Sequence, residues 1–274
     1  QEKKDGGLKA FVNLGGGAAG RRYEMVMDDA GVFRLTIDQG KLELYPLLRS
    51  IGVTDSAMAS AWGDEILEVN KKKSAKKMET VPKRAAKTIT KKTYAEVADA
   101  GDALKEFFNG TVLDPDINEL TLGKRHSKFD GPAMVTSAKE LLRTHRKDRE
   151  PDDRDSLIFK GVYSVEDFIP EAIRKSVRGI EKKVKVRLDL KNSTSVGDVI
   201  TTTTFAKPLL SFFTSTELSS TPDQTNPLDM LSGQNNITVR GEGGIKSSHA
   251  ITAEARSVHP THLAFLDPVH TPES

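Results

Sequence analysis

Three of the six histidines fall within twelve residues, in SVHPTHLAFLDPVHTPES at 257–274, with Asp267 between the second and the third. Histidine and aspartate bind metals and carry protons, so His259, His262 and His270 raise the chemistry of a small metallohydrolase. The spacing argues against it. His259 and His262 are three apart, not the four of a helical ligand pair, and Pro260 bars a helix interior at that point. Only an accident of folding would bring His270 and Asp267 to complete a ligand set.

Two glycine-rich stretches invite nucleotide chemistry. GGGAAG at 15–20 comes after the strand-like LKAFVNL at 8–14 and fits G-x-G-x-x-G. That fingerprint needs a helix directly after it, so that the helix N-terminus faces a pyrophosphate. The residues after Gly20 alternate instead. Tyr23, Met25 and Met27 interleave with Glu24 and Val26, and Phe33, Leu35 and Ile37 interleave with Arg34 and Thr36. Two such runs around Asp29-Ala30-Gly31 make a β-hairpin, and the glycines a turn between strands. GEGGIKS at 241–247 lacks the G-x-x-x-x-G-K-S/T spacing of a phosphate loop. The acids of REPDDRD at 149–155 stand among Arg149 and Arg154, which neutralise them at a loop.

Residues 71–92 hold ten Lys or Arg and one acid, Glu79, which reads as a solvated loop or as a surface for phosphate backbone. The whole chain does not announce nucleic acid, because its net charge is only +2 over 274 residues. It has no cysteine, which excludes a disulfide framework or a thiolate zinc site, and no apolar run near the roughly 20 residues of a membrane span, so no membrane contact is expected.

The elements that must position these residues are mixed. A strand-to-helix unit at 41–52 closes on Gly52, and Thr54 or Asp55 caps a helix running on through Ala61 and Val69. Helices are expected at 94–108 and 134–145, then from Ser164 through Phe168 and Val177, with 184–188 as its end or a strand. TFAKPLLSFF before 213 is apolar and helical, and a turn-rich stretch succeeds it.

The last third carries a resemblance. FAKPLLSFF, then DQTNPLDMLSG, then GEGGI, then VHPTH and TPE occur in that order. This resembles the β subunit of multisubunit DNA-dependent RNA polymerase. GVFRLTIDQGKLELYPLLRSIG at 31–52 is similar to that family's lobe, and DRDSLIFKGVYSVEDF at 153–168 to the stretch before the lobe ends. The resemblance is weakest between Asn70 and Glu150. It implies an α+β fold: a lobe of helices and antiparallel hairpins over 1–200, with 71–92 exposed, then a helix-plus-loop end of protrusion and fork region over 201–274.

By that resemblance the chain is part of a DNA-dependent RNA polymerase, a nucleotidyltransferase, and forms part of the cleft wall beside downstream DNA and the RNA–DNA hybrid. Gln224, Asn226, Arg240, Lys246 and Arg256 are its candidate nucleic-acid contacts. Asp223, Pro227, Gly241, Gly243, Gly244, His259, Pro260 and His262 are implied to shape the fork and its turns. Ser220, Thr221, Asp223, Gly233, Asn236 and Thr238 occupy the rifamycin-pocket positions. Pro222 also departs there: Ser220, Thr221 and Pro222 stand for Gln, Phe and Met, Gly233 for His, Asn236 for Arg and Thr238 for Ser. Ala264-Phe265 replaces a Gly-Arg pair, and Ser274 a glycine.

The Asp-rich N-A-D-F-D-G-D motif that holds magnesium in the family's β′ subunit does not occur in the sequence. The chain is therefore expected to hold no cofactor or metal and to be inactive alone, with Mg2+ on a β′-like partner. The other implied partners are the rest of β, the DNA template and the RNA transcript. The family's β continues past T-P-E, so the resemblance implies either a split subunit of a giant bacteriophage, acting in the infected host's cytoplasm or packaged in the virion, or a fragment of a longer β chain. The rival reading is a non-enzymatic, basic nucleic-acid-binding protein centred on 71–92.

Overall fold

The computed structural model describes residues 7–12, 23–37, 40–153, 155–191, 196–216, 218–221, 224–241, 244–245 and 247–267. They fall into two compact units, 7–153 and 155–267. The boundary between them falls in the charged linker.

The first unit begins with a four-stranded antiparallel sheet in the order β1 (Leu8–Val12), β2 (Tyr23–Met27), β3 (Phe33–Ile37), β4 (Gly40–Glu43). The alternation in the sequence sets the register. Tyr23 faces Ile37, Met25 faces Leu35 and Met27 faces Phe33 across β2 and β3. All six side chains are fully buried, so a slip by one residue would turn them to solvent. Asp28 closes the turn, accepting from Val32 N at 2.9 Å and pairing with Arg34 at 2.9 Å.

Helices then pack on the sheet. α1 (Leu44–Ser50) buries Leu44, Leu47 and Leu48, and Gly52 leaves it at φ 95°. Thr54 caps the next helix as expected, its Oγ1 accepting from Ala57 N at 3.3 Å. The expected single helix is two, α2 (Asp55–Trp62) and α3 (Asp64–Ser74). Gly63 at φ 88° breaks it, a conformation that lets Trp62 turn into the core. Trp62 lies 4.8 Å from the ring of Phe33 and donates from Nε1 to Val135 O at 3.1 Å.

The basic run at 71–92 is helical rather than looped. It comprises the end of α3, a 3-10 turn at Ala75–Lys77 and α4 (Thr80–Thr90). The few apolar residues of the run explain this: Val81, Pro82, Ala85, Ala86 and Ile89 fall on one side of α4 and are buried. Asn70 is buried too and fully used. Its Nδ2 donates to Gly31 O at 2.9 Å and Ile66 O at 2.8 Å, and its Oδ1 accepts from Phe33 N at 3.0 Å.

α5 (Val97–Asn109) crosses α1 closely enough that a Cβ on Gly101 would meet Ser50 O at 2.3 Å. α6 (Pro115–Leu122) opens on Asp114, whose Oδ1 accepts from Asp116 N and Ile117 N, and ends at Gly123. α7 (Gly131–His145) opens on Asp130, which accepts from Ala133 N at 3.0 Å. Phe129 ties this end together, stacked on Tyr23 at 5.6 Å and edge-on to Phe108 at 5.8 Å.

The second unit is built on α8 (Val165–Lys191), one 27-residue helix that includes 184–188. α9 (Val196–Val199) and α10 (Thr203–Ser215) come next. α10 packs on α8 through Phe212, stacked on Phe168 at 5.8 Å. Arg187 fastens the connection, reaching Val199 O at 3.0 Å, Thr201 Oγ1 at 3.0 Å and Thr204 Oγ1 at 3.2 Å. α11 (Pro227–Gln234) and α12 (Ala253–Arg256) complete the elements. Helices with one antiparallel sheet make the chain α+β, as expected. Among the described residues no helix is long and apolar enough to cross a membrane.

Candidate nucleic-acid interface

The segment from α10 onward holds the residues singled out as the fork-like part. At the end of α10, Thr216 Oγ1 donates to Phe212 O at 2.8 Å and Ser219 Oγ to the same oxygen at 3.3 Å. This caps the helix and leads the chain into Ser220 and Thr221, both exposed or nearly so. Asp223 lies outside the described residues; Gln224 is exposed.

Asn226 has a local duty. Its Oδ1 accepts from Leu228 N at 3.0 Å, which caps α11, and Pro227 occupies the first turn. The oxygen of Asn226 is thus engaged by the backbone. α11 buries nothing. Gly233 is on it, with open space where a Cβ would project, and Asn236 comes after it, exposed.

The glycine turn is tightly specified. Ile245 N donates to Val239 O at 2.9 Å, Gly241 N to Ile245 O at 3.1 Å and Gly244 N to Gly241 O at 3.1 Å. Gly241 sits at φ 104°, and a Cβ there would strike Leu218 Cδ2 at 2.9 Å. A Cβ on Gly244 would strike Val239 O at 2.3 Å. The two glycines are required by backbone geometry and close approach. Thr238 Oγ1 accepts from Arg240 N at 3.1 Å, and Arg240 is half-buried beside the turn. Gly243 and Lys246 lie outside the described residues, and Arg256, on α12, is exposed.

The histidine corner resolves into a turn. His259 Nδ1 accepts from Thr261 N at 3.2 Å, and His262 Nδ1 accepts from His259 N at 3.3 Å. The two rings form a reciprocal cap on the 3-10 turn Pro260–His262. Thr261 Oγ1 accepts from Leu157 N at 3.0 Å, which anchors the turn to the start of the unit. Each Nδ1 is occupied by a backbone donor and is not directed at a common ion. His270 lies outside the described residues. Among the described residues no three His, Asp or Glu side chains are grouped to hold a metal ion.

The candidates are therefore brought together only in part. Arg240, Gly241 and Gly244 share one turn, and His259, Pro260 and His262 share another. Gln224 and Arg256 are merely exposed. Sequence reasoning misses α11. Its signal is Asn226-Pro227, a cap with proline at the first helical position.

Comparison with known proteins bears on the same segment. Residues 220–274 match the model of RNA polymerase Rpb2, domain 3. The chain is 29% identical over 188 residues to the DNA-directed RNA polymerase subunit beta of Anaplasma phagocytophilum, covering 63% of this chain and 13% of that protein. It is 33% identical over 168 residues to the subunit of the same name from Mesomycoplasma hyopneumoniae strain 7448, covering 60% of this chain and 13% of that one. The chain thus spans about 13% of the length of the curated relatives it matches. These matches support a relationship to part of an RNA polymerase β subunit.

Proposed function

We propose that the chain works as part of a DNA-directed RNA polymerase, forming a stretch of the cleft wall beside downstream DNA and the RNA–DNA hybrid. The observation that carries this is the match of 220–274 to an Rpb2 domain, over the segment that holds the glycine turn and the histidine cap. In this reading the reaction is nucleotidyl transfer: a 3′-hydroxyl attacks the α-phosphorus of a nucleoside triphosphate and pyrophosphate leaves. Magnesium, held by a β′-like partner, supplies charge stabilisation to that step. The present chain contributes shape. Its Gly241–Gly244 turn and its His259–His262 cap hold backbone near the phosphates, and Gln224, Arg240, Lys246 and Arg256 contact them.

The partners are the rest of β, a β′-like subunit, template and transcript. The finer proposal is one piece of a β subunit divided among several chains, of the kind found in giant bacteriophages, acting in the infected host's cytoplasm or carried in the virion. The altered rifamycin-pocket positions support this divergence: Gly233 and Asn236 stand where the family has a histidine and an arginine. A pocket without those partners binds the drug weakly, so the assembled enzyme transcribes in rifampicin.

The test is native purification from the source cells, with mass spectrometry of the co-eluting chains and an assay of template-dependent RNA synthesis. Co-elution with a chain bearing N-A-D-F-D-G-D, together with magnesium-dependent synthesis, is expected. A chain that elutes without polymerase subunits overturns the reading.

A further inference from the structure

We infer that the outer face of α4, together with the end of α3 and the turn between them, is a binding surface for the phosphate backbone of duplex nucleic acid, read without regard to sequence. Lys72, Lys73, Lys76, Arg84, Lys87, Lys91 and Lys92 are exposed or nearly so, and Lys83 is half-buried. The buried positions of α4, at 81, 82, 85, 86 and 89, fix which side faces the core. Residues 83, 84 and 87 therefore line the opposite side, and Lys91 follows at the left-handed C-cap of the helix.

Most of these cations are uncommitted. Lys71 pairs with Asp55 at 3.1 Å and with Glu68 at 3.0 Å, and Lys77 pairs with Glu43. The other eight make no ion pair among the described residues. The neighbouring α5 carries exposed Asp99, Asp102 and Glu106, none of which pairs with them, so the acids mark an edge of the patch rather than its neutralisation. Eight unpaired like charges on adjoining turns, with Glu79 the one acid within residues 71–92, repel one another, and a polyanion would relieve that repulsion.

The chemistry of the patch selects the ligand. Residues 71–92 contain no aromatic side chain on which an unpaired base could stack, and no Asn or Gln to read a base edge. Lysine and arginine alone meet phosphate as charge, which suits the regular backbone of a duplex. The surface lies in the stretch where the polymerase resemblance is weakest, and it needs no partner chain, so its failure leaves the polymerase reading standing.

The experiment uses the full chain and a labelled 20-base-pair duplex of arbitrary sequence, with binding followed by anisotropy across a salt series. The comparison is a variant with Lys72, Lys73, Lys76, Arg84 and Lys87 all changed to Gln, and a control with Lys182→Gln and Lys183→Gln. The five-site variant is expected to lose at least about tenfold in affinity at low salt and to flatten the log–log salt slope by up to about 4.5, near 0.9 for each phosphate no longer neutralised; the control keeps both. Acetylation footprinting of the unmodified chain is the second readout, with duplex protecting Lys72, Lys73, Lys76 and Lys87 but not Lys182. Unchanged affinity and slope in the five-site variant overturn the inference. So does tighter binding to a single strand, or binding to phosphatidylserine vesicles in preference to duplex.

Discussion

The two units of the chain treat their apolar residues in opposite ways. The first folds Trp62, Phe33, Tyr23, Phe108 and Phe129 inward around a sheet, and its helices turn their charge to solvent. The second places Leu228 at 70%, Leu210 at 64% and Phe265 at 83% exposure, with Leu231, Ile237, Val258 and Leu263 also outward. Single exposed apolar residues are ordinary, but this density in one unit is not. The first unit contains the means of its own stability; the second is shaped as surface for other protein to cover. On the proposed function, the two units would divide the work: the first holds its own form and the second meets neighbouring subunits.

Several substitutions sharpen or break the contrast. Trp62→Ala removes the ring that bridges Phe33 and Val135, and is expected to cost about 3–5 kcal/mol in denaturant unfolding followed by circular dichroism. Asn70→Ala deletes three hydrogen bonds and strands the Phe33 N–H in the core, and a loss of about 2–3 kcal/mol is expected in the same assay. Phe212→Ala should cost about 2 kcal/mol, less than a closed core, because its neighbour Phe213 is solvent-facing and can close over the gap. Leu228→Ala, on an equally apolar position of the second unit, should stay within about 0.5 kcal/mol; a loss equal to that of Trp62→Ala would break the comparison.

The smallest effect is on acid stability. Burial pushes the His126 pKa below its usual value, against the charge of Asp130 and with that of Lys124, and its Nε2 has no partner among the described residues. A lowered histidine pKa means that the folded state binds fewer protons than the unfolded one. Its contribution is whole above about pH 6.5 and is lost as pH falls through the lowered folded value. For Glu43, burial opposes ionisation, but the hydrogen bond and charge of Lys77 outweigh it and hold the carboxyl below its usual range. Its contribution is full above about pH 4.3 and is lost in stronger acid. Thermal melts from pH 7.5 to 5 should show a fall that His126→Gln makes shallower; an unchanged profile in that variant would remove histidine from the account.

Much of the first unit is legible in the sequence because burial imposes a period. The hairpin at 23–37 alternates except at Val26, which is buried beside Met25 and Met27, and Thr54 signals its cap. The break at Gly63 is not legible, since a lone glycine does not say which way Trp62 turns. The run at 71–92 reads as a loop because its charges mask five small or β-branched inner residues. In the second unit the ordered motifs point to a family, but they cannot show that Asn226 spends its side chain on a helix cap. Nor can they show that the paired histidines cap each other through the backbone, because both duties depend on turns three residues long.

The most direct measurement is hydrogen–deuterium exchange of the chain, alone and in the polymerase purified from its source. The account predicts that peptides over 203–267 become strongly protected on assembly, while those over β2, β3 and α1 exchange slowly in both states. If 203–267 exchanges equally fast in both, its apolar face is not covered by polymerase and the central claim fails.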